Sequence, residues 1–167
     1  MRWGRKVQKV VPGPGQESVW DYPRPPAVET TGDRVVIELG GRVIVDTTEA
    51  VRVLETSHPP VFYVPIDSVQ ADVHVGQGMS LCEFKGMARY LTIASGDRIA
   101  VRSAWTYPEP WPGYEPLAGL LAVYPSKMDR CEVAGETVVP QDGDFYGGWI
   151  TSKVVGPFKG AAGTLNW

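Results

Sequence analysis

The sequence is poor in the residues that most often announce chemistry. Only two cysteines, Cys82 and Cys131, and two histidines, His58 and His74, occur in 167 residues. Two cysteines cannot make the dense disulfide framework of a small secreted scaffold. With no CxxC pair and no HxxxH spacing, these four side chains build no recognisable zinc site. No apolar run approaches the length that crosses a bilayer as a helix, and the first residues lack the apolar middle of a secretory signal. The expectation is a protein of the reducing cytoplasm. An excess of one charge is also missing: 16 basic residues against 19 acidic ones leave a net charge of −3. Such a surface does not attract nucleic acid or anionic membrane as a whole, so neither is an expected partner. No Walker-type phosphate loop is present. Gly76-Gln77-Gly78 lacks the third glycine and the following helix of a dinucleotide fingerprint. Asp67 and Asp72 read as solvated surface rather than a magnesium site. No cofactor or metal is expected.

Glycine and proline, in contrast, are plentiful, with 19 and 15 copies. They interrupt helices and mark turns, which favours short strands. The chain is about one domain long, and its 43% hydrophobic and 21% charged residues are ordinary for a globular protein. The expected fold is mainly β, a compact antiparallel domain with only one or two short helical turns. Residues 1–16 carry Arg2, Arg5, Lys6 and Lys9 ahead of Pro12-Gly13-Pro14-Gly15 and read as a basic flexible arm. Residues 17–167 read as a single β domain that includes a C-terminal wrapping tail.

Turn chemistry organises that domain. Gly40-Gly41 between two β-branched runs, residues 34–39 and 42–45, predicts a hairpin. Ala134-Gly135 predicts a second one between 131–133 and 136–139. Asp46-Thr47-Thr48-Glu49 reads as a short helix start. Strand character follows over 51–56, 61–64 and 98–107. Ile66 to Val69 reads as one helical turn. Met79 to Ala94 reads as two strand segments joined or bent at Gly86. Leu117 to Tyr124 is the most apolar run and is expected in a sheet centre.

Side-chain parity then points to a site. Alternate residues of a strand face opposite ways. Val51, Val53 and Glu55 therefore share a face, as do Trp105 and Tyr107. Lys85 precedes Gly86, where a bend can re-aim a side chain. Glu55 and Lys85, walled by Tyr63, Trp105 and Tyr107, would make a polar spot in an aromatic pocket that holds an unknown small molecule. Alternatively, Glu55 pairs with Arg52 or Arg89 and the aromatics are ordinary core. Two further readings stay open. One is an enzyme using Lys85 as base or Schiff-base former, or Cys82 as nucleophile. The other is an interaction module using the Pro- and Trp-rich loop at 108–116. Oligomeric state is not fixed by any of these features.

Three segments carry a family resemblance: Val51 to Pro65 (VRVLETSHPPVFYVP), Cys82 to Tyr90 (CEFKGMARY) and Ala104 to Pro108 (AWTYP). They resemble the bacterial family called domain of unknown function 427, over roughly residues 17 to 140. The flanks Trp20 to Pro26 and Phe145 to Ile150 look like its single-domain actinobacterial version. The resemblance implies a β-tent fold, an architecture shared with methionine sulfoxide reductase B and the thalidomide-binding domain of cereblon. Many β-tents hold zinc through paired CxxC motifs, which this sequence lacks. The aromatic cage of some β-tents is similar to Trp105 and Tyr107. The family also carries a nucleotidyltransferase-like label, but the Gly-Ser with paired aspartates that such chemistry uses is absent.

Overall fold

The computed structural model describes residues 6–143 and 145–167. Arg2 and Arg5 of the basic arm therefore lie outside the described residues. The chain enters along the domain surface, where the Val10 N–H donates to the Gly156 carbonyl at 2.9 Å. Strand β1 (Glu17–Ser18) precedes β2 (Ala27–Thr30), β3 (Val35–Leu39), β4 (Arg42–Thr47), β5 (Val51–Leu54) and β6 (Val61–Pro65). Next come β7 (Asp72–Cys82), β8 (Gly86–Ser95), β9 (Arg98–Thr106) and β10 (Leu120–Val123). The chain finishes with β11 (Arg130–Val133), β12 (Glu136–Thr137), β13 (Val139–Pro140), β14 (Trp149–Ile150) and β15 (Val154–Val155). Four 3-10 turns of three residues each are the helical content of the described chain.

Local sequence explains the hairpins. Gly40 and Gly41 both have positive φ, 64° and 72°, which a two-residue turn between twisted strands requires. A Cβ on Gly40 would fall 2.0 Å from the Ser95 carbonyl oxygen, so only glycine fits there. Ala134 and Gly135 repeat the pattern at 50° and 81°. No helix starts at Asp46. That residue belongs to β4, paired opposite Val36, and its carboxylate takes a two-pronged bond from Arg34. The Thr47 hydroxyl does accept from the Glu49 N–H at 3.0 Å, but it closes a local turn and no helix follows. Residues 79–94 do form two strand segments, the end of β7 and most of β8, with the second opening at Gly86. The chain reverses through Glu83, Phe84 and Lys85, and Cys82 pairs with Gly86 to open an antiparallel ladder.

Two sheets make the core. A seven-stranded sheet runs β2-β5-β6-β10-β9-β8-β7, and a four-stranded sheet runs β12-β11-β3-β4. Both are antiparallel and neither closes into a barrel. The apolar run at 117–124 supplies β10 at the middle of the larger sheet, as its composition predicts. Parity divides the two faces of that sheet. Phe62, Val64, Leu91, Ile93, Ala104, Leu121 and Val123 share one core cluster with Val35, Ile37, Leu39 and Ile44 of the smaller sheet. The residues between them, Tyr63, Tyr90, Trp105, Ala122 and Tyr124, belong to a second cluster on the opposite face. One face is mainly aliphatic and packs sheet on sheet; the other is aromatic and carries the cavity described next.

Candidate functional site

The aromatic face is built from five neighbouring strands. Trp105 on β9 stands opposite Tyr90 on β8 and Ala122 on β10. Tyr63 on β6 lies opposite Val51 on β5. Ala88 is small, so the rings around it leave a hollow. A cavity of about 260 Å³ opens there, lined by Glu55, His58, Tyr63, Cys82, Phe84, Lys85, Trp105, Tyr107, Tyr124 and Tyr146, among others.

Its floor is held by hydrogen bonds. The Trp105 indole N–H donates to the Tyr63 hydroxyl at 3.1 Å. The Tyr63 and Tyr107 rings sit 6.5 Å apart, and Tyr63 and Cys82 are the neighbours that act on the Tyr107 hydroxyl. Burial pushes both phenols well above their ordinary range, so Tyr63 and Tyr107 stay neutral donors. The Cys82 sulfur also accepts the backbone N–H of Lys85 at 3.5 Å.

One wall is acidic. β5 ends at Leu54, and Glu55 continues on the cavity side before a tight turn in which Ser57 has φ +72°. The turn returns His58 onto Glu55, with Nε2 3.4 Å from Glu55 Oε2. Arg24 reaches the same oxygen at 3.5 Å. Burial alone would raise the Glu55 carboxyl. The hydrogen bond and charge of His58, with the charges of Lys85 and Arg24, outweigh it and hold the group below the usual carboxylate range. Gln141 stands behind His58. It accepts the Gly148 N–H on Oε1 at 3.0 Å and donates from Nε2 to the Lys159 carbonyl. Those two bonds fix the amide, so its Nε2 also points at His58 Nδ1, 3.4 Å away. The two ring nitrogens of His58 thus face the Gln141 amide and the Glu55 carboxylate.

Lys85 lines the same cavity. The residue is only 9% exposed, and its ammonium lies 5.8 Å from the Tyr107 ring centre. The loop at 108–116 holds this corner. Trp111 donates its N–H to the Lys85 carbonyl at 3.0 Å, and its ring sits against Gly86, whose φ is +111°. Tyr146 closes the remaining side, its ring 4.8 Å from His58.

All five residues singled out from the sequence thus line one cavity. Of the alternative partners expected for Glu55, Arg52 is bound instead by Glu17 and Glu29, at 2.7 and 2.8 Å. Missed were His58, Gln141, Tyr90, Tyr124 and Tyr146. Parity on 88–90 and 122–124 would have found Tyr90 and Tyr124. No local signal ties Gln141 to His58, 83 residues away. His74 lies on the exposed edge strand β7, outside the cavity.

The family described as a domain of unknown function (DUF427) matches residues 27–134 of this chain. The chain belongs to that family. No curated protein matches it. The DUF427 region includes Glu55, His58, Tyr63, Cys82, Lys85, Trp105, Tyr107 and Tyr124. Gln141, Phe145 and Tyr146 come from beyond it, so the wall behind and beside His58 is supplied outside the matched DUF427 segment.

Proposed function

We propose that this DUF427 protein binds a small molecule in the aromatic cavity, gripped by Trp105 and Tyr107 and oriented by Glu55 and Lys85. The observation that carries the reading is the convergence of a carboxylate and an ammonium on one hollow with aromatic walls. Such a combination of apolar surface with few convergent polar groups is the general form of a ligand site. A reducing, cytoplasmic setting suits it, since Cys82 and Cys131 are both free. The test is a screen of single-ring compounds by ligand-observed NMR. Hits should bind the native protein and lose binding in Ala88→Leu, which fills the hollow while leaving its polar rim. Equal binding to Ala88→Leu, or no binder at all, overturns the reading.

A second reading is an enzyme acting through Lys85 or Cys82. It is favoured by His58 and Cys82 lining the same cavity, although the sequence spacing does not link them. Benzaldehyde with borohydride should then leave an adduct on Lys85 in preference to surface lysines. Labelling of Lys85 no faster than theirs removes this reading. The interaction-module reading draws less support. Trp111 is 41% exposed but packs on Gly86, while Trp20 and Trp167 are half-buried against each other.

A further inference from the structure

Lys85 lacks the partner that a buried ammonium needs. The residue is 9% exposed and its side chain makes no hydrogen bond or ion pair with any described residue, so its ammonium keeps contact only with the open cavity. The Tyr107 ring at 5.8 Å is near the outer limit of a cation–π contact and supplies no hydrogen-bond acceptor in line with the charge. Glu55 is close enough to be influenced by Lys85 but lies outside ion-pair distance, and its Oε2 already serves His58 and Arg24. Glu83, on the same loop, is exposed to water and does not reach the ammonium either. Burying a charge without acceptors is costly, and proteins retain one where something else supplies them.

The cavity says what kind of molecule could do so. A dry pocket of about 150 Å³ takes a benzene ring. One of about 260 Å³ takes a single ring with a short substituent. The ring-binding surface is Tyr63, Trp105, Tyr107 and Tyr124, where offset or edge-on stacking is favourable. With Glu55 paired to Arg24 and in contact with His58, the positive charge left over in the cavity is that of Lys85.

Building on the ligand-site reading above, we propose that the ligand is a single-ring molecule bearing one anionic group, a carboxylate or a phosphate. The anion sits on the Lys85 ammonium and the ring lies against Trp105 and Tyr107.

The probes are benzoate, phenyl phosphate, benzyl alcohol and benzylamine, titrated into the full chain and into Lys85→Met, which keeps the side-chain length and removes the charge. An ammonium–anion hydrogen bond should make benzoate or phenyl phosphate bind about tenfold or more tighter than benzyl alcohol. Lys85→Met should erase that advantage and still bind benzyl alcohol. The tighter of the two anions identifies the source chemistry. Equal binding of benzyl alcohol, tighter binding of benzylamine, or an anion preference that survives in Lys85→Met overturns the anionic ligand and leaves the cavity reading intact. No binding of any probe overturns both. If Lys85→Met does not fold, crystals of the native protein soaked in benzoate decide. A carboxylate within hydrogen-bond distance of Lys85 Nζ supports the proposal, and any other placement overturns it.

Discussion

The Trp105 indole donates to the Tyr63 hydroxyl at 3.1 Å, joining two residues 42 positions apart. They sit on β9 and β6, with β10 between them, and the bond spans that strand on the side where Ala122 offers only a methyl group. Both residues are buried, Tyr63 to 1% exposure. The contact sets the floor of the cavity and the tilt of the indole.

Tyr63→Phe removes the one acceptor that this buried N–H has among the described residues. An unpaired buried donor costs about 1–3 kcal/mol, so urea unfolding should shift by that amount with little change in secondary structure. An unchanged midpoint would mean that water replaces the hydroxyl without loss.

Gly147 is where the C-terminal segment meets the indole. Its φ is +69°, and a Cβ there would stand 2.6 Å from Trp105 Cη2. Gly147→Ala should destabilise by about 1–3 kcal/mol through backbone strain and overpacking. The near-ultraviolet circular dichroism of Trp105 should change with it. A variant as stable as the parent with the same spectrum contradicts this contact.

Lys85→Met replaces an unpaired buried charge by an apolar chain of similar length. In the absence of ligand it should stabilise the protein by about 1–2 kcal/mol, raising the thermal midpoint by about 2–8 °C. A lower midpoint would show that the ammonium contributes to the fold through a partner.

Glu55 gives a pH dependence with a definite sign. Its carboxyl is held below the ordinary 4.5 in the folded chain, burial being outweighed by His58, Lys85 and Arg24. The unfolded state therefore binds the proton more tightly, and the stabilisation is present above about pH 4.5 and lost as pH falls through the lowered folded value. Glu55→Gln should be less stable than the parent at about pH 7, with the gap closing by about pH 3. A gap of the same size at both pH values would remove the carboxylate from the account.

The cysteines should separate by access. Cys131 is 2% exposed, and burial pushes its thiol up to about 12. Cys82 is half-buried and lines the cavity. Iodoacetamide at about pH 8 should modify Cys82 alone in the folded protein and both thiols after denaturation. Modification of Cys131 at a similar rate under native conditions would show that the core opens readily.

Much of this architecture is local and was legible in the sequence. The Gly40-Gly41 and Ala134-Gly135 hairpins follow from backbone angles that those residues adopt without strain. Alternation set Tyr63 apart from Phe62 and Val64, and placed Trp105 with Tyr107, because a strand's period of two is indifferent to what it packs against. The short helix expected at Asp46 failed for the opposite reason. The cap chemistry is real, but pairing with β3 offers the same backbone groups a sheet partner.

The sequence by itself determined the strands, their turns and which side chains share a face. Only the tertiary structure decided that the five strands β5, β6, β10, β9 and β8 would lie in the order that gathers Glu55, Tyr63, Lys85, Trp105 and Tyr107 round one hollow. It also decided that Gln141 would fix His58 and that Tyr146 would close the wall. These contacts join residues far apart in the chain, where propensity and spacing carry no information. They form because burying the aromatic face and satisfying its polar groups outweighs the entropy of bringing those segments together.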